Sequence, residues 1–131
     1  MKRVLATGAV LATLALAGCV PSGPTVATFE VAGQGTYSVE LATPELIAHA
    51  KELLAGTTLP LGMVPWLVVR GDDGGVNAPW TWHIDPATLE FADQTTEVCD
   101  GIPEHVEDGT VTSDYYCPWS AVIVKITGPG A

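Results

Sequence analysis

The side chains best suited to chemistry lie in the segment 80–85, whose sequence is WTWHID. If this segment is a strand, Trp80 and Trp82 point to one face of the sheet, and His83 and Asp85 point to the other. An imidazole and a carboxylate two positions apart on a strand can bind a metal ion. Zinc, however, requires a third protein ligand in matched geometry. These four side chains form a candidate binding patch.

A downstream acid such as Glu97 or Asp100 could supply the third ligand, but nothing in the sequence fixes that choice. A structural interpretation of the same segment is also open. A domain of this size needs large side chains to fill its core, so both indoles could be buried. His83 or Asp85 would then bond to the backbone where Asp85-Pro86 ends the strand.

A second candidate site is the loop that carries Asp72, Asp73 and Asn77. These residues offer the oxygen ligands that calcium prefers, but their spacing departs from the D-x-[DN]-x-[DN]-G pattern of a calcium loop. No serine lies in a G-x-S-x-G motif, and abundant carboxylates do not by themselves define a glycosidase pair. We therefore predict a protein without catalytic residues, resident metal or cofactor.

Hydrophobic periodicity predicts the elements that position these side chains. Apolar residues alternate with polar ones on both sides of Gly33-Gln34-Gly35, which is typical of a β-hairpin. Thr43 and Pro44 are typical of a helix start. An apolar stripe with a period of 3.6 residues follows, and Gly56 ends it. The stripe consists of Leu46, Ile47, Ala50, Leu53 and Leu54.

Further strands are predicted over residues 66–70 (WLVVR), 80–84 and 121–126 (AVIVKI). The β-branched, apolar composition of the last one favours a buried strand. Pro103 is expected to begin a short acidic helix that runs to Asp108, and residues 109–116 resemble a loop. Together these elements predict an α+β fold, in which one main helix packs on a small antiparallel or mixed sheet.

The N-terminus has the features of an export signal. A basic start, Met1-Lys2-Arg3, precedes thirteen uncharged residues, fewer than the roughly 20 that a transmembrane helix needs. Leu16-Ala17-Gly18-Cys19 resembles the lipobox of bacterial lipoproteins. That resemblance implies cleavage before Cys19, a diacylglycerol on its thiol and acylation of the new amine. The alternative is an ordinary signal peptide with a chance cysteine.

The charge balance limits the possible partners. The whole chain carries fifteen acidic and five basic side chains, for a formal charge of −10. Removal of residues 1–18 leaves three basic side chains against the same fifteen acids, a formal charge of −12. A nucleic-acid partner is disfavoured because phosphate contacts need a basic surface. Attachment to a membrane must come from the lipid, since such a charge repels anionic headgroups.

The cysteine count fits export. With Cys19 modified by lipid, Cys99 and Cys117 remain, and an oxidising compartment favours a disulfide between them. A catalytic or metal-binding thiol pair lacks support, because the spacing is not C-x-x-C. Trp119, close to Cys117 and Pro118, is expected to pack against this disulfide.

Several motif blocks resemble a known family. Residues 79–100 (PWTWHIDPATLEFADQTTEVCD) and 117–120 (CPWS), with the upstream stretch 36–56 (TYSVELATPELIAHAKELLAG), are similar to the N-terminal domain of the seventy-four-kilodalton binding-protein family. The blocks cover nearly all of the chain after the export signal. The resemblance implies one domain, a disulfide between the two matching cysteines and no known catalytic residue.

These observations predict the organisation of the chain. We expect a signal peptide over residues 1–18, a tether over 19–25, one domain over 26–127 and a tail over 128–131. The predicted protein is anchored by lipid to the extracytoplasmic side of a bacterial membrane and carries a small binding domain. The alternatives are a metal-binding or metal-dependent hydrolytic domain centred on His83 and Asp85, and a structural protein of envelope assembly.

The nature of the bound partner stays open at this point. The chain has four tryptophans, which are Trp66, Trp80, Trp82 and Trp119. One or two exposed indoles among them would form a platform for a protein, a peptide or a sugar.

Overall fold

The computed structural model describes residues 18–19, 22–57, 66–91 and 97–131. Apart from Gly18, the predicted signal peptide lies outside the described residues, as does most of the predicted loop between the helix and the third strand. The described elements, in chain order, are β1 (Val26–Val31), β2 (Thr36–Glu40), α1 (Pro44–Ala55), β3 (Trp66–Arg70), β4 (Trp82–Ile84), α2 (Pro103–Glu107), β5 (Tyr115–Tyr116) and β6 (Ala121–Thr127). Two short 3-10 turns, Pro86–Thr88 and Glu97–Cys99, complete the set.

The strands form two antiparallel sheets of three strands each. The first has the order β2-β1-β6, and the second has the order β4-β3-β5. The predicted α+β class, with antiparallel pairing, one main helix and one disulfide, is confirmed. The prediction did not anticipate that the strands divide between two sheets.

The predicted hairpin is formed by β1 and β2. Its turn is closed by a hydrogen bond of 3.0 Å from the Val31 amide to the Gly35 carbonyl. Gly33 has a φ of 70°, a conformation that favours glycine. Side chains alternate between a buried and a more exposed face along both strands, as period-two patterning requires.

The predicted helix is α1, and both of its ends follow the predicted signals. The Thr43 hydroxyl accepts a hydrogen bond of 3.2 Å from the Leu46 amide, and Pro44 occupies the first turn. At the other end, Gly56 adopts a left-handed conformation with φ 67°. The predicted apolar stripe is less buried than expected, because only Ala50 is fully enclosed and Leu54 is exposed. The helix packs mainly on β6, an edge strand, which leaves part of the stripe open to solvent.

The core between the two sheets is mostly aromatic. Phe29 and Tyr37 from the hairpin stack with their ring centroids 5.3 Å apart. Tyr37 also meets Tyr116 edge-on at 5.2 Å, and Phe29 meets Trp66 edge-on at 5.6 Å. Trp82 closes the group against Tyr116 at 5.5 Å. Such pairs add about 0.5–1.5 kcal/mol each beyond the burial of their area, so this cluster is a principal source of cohesion between the sheets.

Three sequence predictions about strands need correction. The segment predicted as a loop over residues 109–116 contains the short strand β5, because Tyr116 is held by the core and pairs with Trp66. β4 begins at Trp82 rather than Trp80. β6 is not buried, because it lies at the edge of its sheet with one paired neighbour, β1.

The disulfide joins Cys99 and Cys117, whose Cα atoms are 5.1 Å apart. The Cys117 amide also donates a hydrogen bond of 2.8 Å to the Cys99 carbonyl. Both cysteines are buried, so the bridge fastens the short turn at residues 97–99 to the segment that leads into β6.

Candidate functional site

The two tryptophans of the candidate patch have structural roles. Trp82 is enclosed in the aromatic core. Trp80 is half-buried, stacks on Trp82 with centroids 6.5 Å apart, and donates a hydrogen bond of 2.8 Å from its Nε1 to the Thr36 carbonyl on β2. The Trp80 indole therefore connects the loop before β4 to the first sheet.

His83 is directed at the neighbouring loop. Its Nδ1 lies 2.8 Å from the Asp72 carbonyl oxygen, and its ring packs against Gly74. A Cβ atom at Gly74 would lie only 2.7 Å from the His83 Cγ atom. The imidazole thus holds the loop that joins β3 and β4 in a shape that only glycine allows at this position.

Asp85 caps the turn that follows β4. Its Oδ1 accepts a hydrogen bond of 3.0 Å from the Ala87 amide, at the start of the 3-10 turn Pro86–Thr88. His83 and Asp85 therefore each bond to a different backbone segment. Within the described part of the chain, no group of three or more histidine, cysteine, aspartate or glutamate side chains is arranged to hold a metal ion. The side chain of Glu97 lies outside what the structure describes.

The predicted calcium loop uses its oxygens internally. The Asp72 and Asp73 carboxylates accept hydrogen bonds of 2.7 Å from the amides of Gly74 and Gly75. Asn77, the third candidate ligand, is only 1% exposed. The carboxylates shape the turn, and the Asn77 amide faces the interior.

Asn77 is a residue whose role the sequence did not reveal. Its Oδ1 accepts a hydrogen bond of 2.7 Å from the Ser38 amide on β2, and its Nδ2 donates one of 2.7 Å to the Trp82 carbonyl on β4. One buried side-chain amide thus links the two sheets. Together with the bond from Trp80 to Thr36, it occupies backbone groups on the outer edge of β2.

A second set of polar contacts fixes α2. The Glu107 carboxylate accepts hydrogen bonds from both the amide and the hydroxyl of Thr81, at 2.9 and 2.8 Å. The Arg70 guanidinium donates to the carbonyls of Val106 and Val111, at 2.6 and 2.8 Å. Most of these residues line a cavity of about 70 Å³, which has room for about two water molecules. The cavity is too small for an organic ligand.

The largest pKa shifts belong to the core. Burial, with the nearby Tyr116 as a second cause, raises the pKa of Tyr37 well above its ordinary value. Burial, and then the charge of Asp100, raises the pKa of Tyr116. The Tyr116 hydroxyl donates a hydrogen bond of 2.8 Å to the Gly101 carbonyl. Both phenols are thus held neutral as packing groups.

Exposed apolar side chains lie near the disulfide and along β6. Val98, next to Cys99, is 79% exposed, and Trp119 is 52% exposed. On β6, Val122 and Val124 are 55% and 44% exposed. We call Trp119, Val122 and Val124 the β6 surface. Its first member is fixed at the backbone, because the Trp119 amide donates a hydrogen bond of 3.0 Å to Asp100 Oδ1.

The predicted lipidation residue, Cys19, is exposed and outside the disulfide. No helix among the described residues has the length and apolar character to cross a bilayer.

Two antiparallel sheets, one main helix and an internal disulfide define a small disulfide-bonded α+β domain. The chain belongs to the family of the N-terminal domain of the seventy-four-kilodalton binding protein, whose model matches residues 24–129. This is the family that the motif blocks of the sequence indicated. No curated protein and no solved structure is significantly similar to the chain.

Proposed function

We propose that this protein is a lipid-anchored, non-catalytic binding domain of the bacterial cell envelope, which takes an extended peptide segment at the open edge of β6. The anchor is inferred from the lipobox-like sequence that ends at Cys19. The peptide-binding role is carried by one observation, the exposed apolar β6 surface on an unpaired strand edge.

The two edges of the first sheet differ in a way that supports this proposal. β2 has backbone groups engaged by the side chains of Asn77 and Trp80. β6 is seven residues long and, among the described strands, pairs only with β1. An unpaired edge presents a row of backbone donors and acceptors that an added strand can satisfy. Main-chain hydrogen bonds then give affinity, and alternate side chains give specificity.

The side chains of this edge favour a partner with both apolar and basic residues. Val122 and Val124 offer apolar contacts, and the half-exposed Trp119 indole provides a large, rigid surface at the start of the strand. A formal charge of −12 after removal of residues 1–18 attracts a basic partner and accelerates its association.

Binding is a better proposal than catalysis because the candidate reactive groups are engaged with the backbone. His83 contacts the Asp72 carbonyl, and Asp85 caps the Ala87 amide. A hydrolytic centre would require these side chains to converge on a substrate, whereas their hydrogen bonds shape turns.

Site-specific photo-crosslinking in living cells tests the binding surface. A photoreactive amino acid at Val122, on the open edge, is compared with one at the exposed Thr36 on the opposite edge strand of the same sheet. We expect a discrete adduct from position 122 and none from position 36, and we expect Val124→Glu to reduce the adduct. Equal labelling at the two positions, or no adduct at position 122 in correctly exported protein, would contradict the proposal.

A further inference from the structure

The predicted tether enters the fold at a fixed point beside the C-terminal residues. The Thr25 carbonyl accepts a hydrogen bond of 2.8 Å from the Leu41 amide, and the Thr25 hydroxyl donates to the Pro129 carbonyl. Gly128 packs so closely on the Pro24 carbonyl that no side chain could be accommodated there. The direction in which the chain leaves toward Cys19 is thus set by residues 128–129.

The same C-terminal segment forms one wall of an open apolar groove. The groove has a volume of about 580 Å³ and is lined by Pro44, Ile47, Ala48, Lys51 and Gly130. The four helix residues have the spacing i, i+3, i+4 and i+7, which places them on one stripe of α1. At the edge of the groove, the Lys51 ammonium donates a hydrogen bond of 3.2 Å to the Gly130 carbonyl.

The length of the tether keeps this groove close to the predicted lipid. Cys19 is six residues before Thr25, so the two residues are at most about 20 Å apart in a fully extended chain. A short tether also gives the domain a high effective concentration at the bilayer, which makes a weak contact sufficient to orient it.

We propose that this groove is the face on which the domain rests against the bilayer, so that its occupant is the interfacial zone of the membrane lipids. This inference rests on the proposed lipidation of Cys19. The apolar stripe suits the boundary between headgroups and acyl chains. Lys51 is one of three basic side chains after residue 18, and it offers a cation to anionic headgroups, which the acidic surface elsewhere repels.

The lipid chains of Cys19 itself are a poorer occupant. Withdrawing methylene groups from the bilayer is unfavourable in proportion to their number. An open groove with five lining residues would cover only part of such a chain, so the chains remain in the membrane and the groove contacts its surface.

This orientation points the β6 surface away from the membrane. Thr127 is at the end of β6 next to the groove, and Ala121 begins the strand at the opposite end. Seven strand residues span about 20 Å. Trp119, two residues before Ala121, is therefore presented to the space beyond the membrane, where a partner can reach it.

Fluorescence of the full lipidated protein in vesicles tests the orientation. An environment-sensitive dye is attached to Ala48→Cys, in the groove, and in a matched variant to Ser120→Cys, at the far end of β6. The vesicles contain phosphatidylethanolamine and phosphatidylglycerol with brominated acyl chains. We expect a blue-shifted emission that is quenched by the brominated lipids at position 48, and neither effect at position 120.

Intact mass and flotation with the vesicles are measured first, because they separate the two proposals. If the protein is acylated and floats, but the two labels respond equally, the orientation is wrong and the anchor stands. A label at position 48 that is shielded from water but not quenched would place the protein's own lipid in the groove, which also overturns the inference. Without acylation and flotation, the proposed anchor fails, and the orientation fails with it.

Discussion

The link between the two sheets through Asn77 makes a quantitative prediction for the variant Asn77→Ala. The substitution removes two hydrogen bonds of 2.7 Å and leaves the Ser38 amide and the Trp82 carbonyl without their partner. Each buried polar group that loses its partner costs about 1–3 kcal/mol. Because Ser38 is half-buried and water can reach it, we expect the free energy of unfolding to fall by about 2–4 kcal/mol.

Urea denaturation of the variant and the parent protein measures this loss. The matched control is Gln34→Ala, in the exposed turn of the hairpin, which should change stability by less than about 0.5 kcal/mol. The midpoint for Asn77→Ala should fall while the slope of the transition stays constant. A loss within about 0.5 kcal/mol would refute the reasoning, since it would mean that the buried amide does not hold the sheets together.

Three further predictions test the turn, the disulfide and the core. Gly74→Ala should destabilise the fold by about 1–3 kcal/mol more than Gly75→Ala in thermal or urea melts, because both positions have positive φ but only the first would clash with His83. Equal losses would contradict this role of His83. Cys99→Ser should cost about 2–5 kcal/mol, and thiols that can be alkylated in the folded exported protein would contradict the disulfide. The raised pKa of Tyr116 means that its folded form keeps its proton after the unfolded form has lost it, near pH 10. Stability should therefore decline as the pH rises above about 10, and Tyr116→Phe should flatten that decline in urea melts at several pH values; an unchanged slope would contradict it.

Elements with a local cause could be predicted from the sequence. The helix α1 begins at the Thr43-Pro44 signal and ends at Gly56, because capping depends on residues within one turn of each other. The hairpin follows in the same way from its glycine-bracketed turn. These features needed no knowledge of the rest of the chain.

Features that depend on distant partners could not be predicted. Asn77 had the composition of a calcium loop, but its hydrogen bond to Ser38 spans 39 positions. The strand that contains Tyr115 and Tyr116 exists because Tyr116 is buried against aromatic rings from other elements. Periodicity reports which side of a strand is apolar, and it does not report which strand lies beside it.

The candidate patch illustrates the same limit at the level of side chains. The residue types of the segment 80–85 allowed both a metal site and a set of packing residues. The decisive contacts are the bond from Trp80 to Thr36 and the contact of His83 with Gly74. Each depends on how separate segments approach each other, so the motif alone could not distinguish the two roles.

The most direct test of the account is the intact mass of the native protein isolated from membranes, measured with and without thiol alkylation. We predict a chain that begins at Cys19, carries two or three acyl chains there, and adds alkyl groups at Cys99 and Cys117 only after reduction. A chain that begins at Met1, without lipid and with both of those thiols open to alkylation before reduction, would contradict the account.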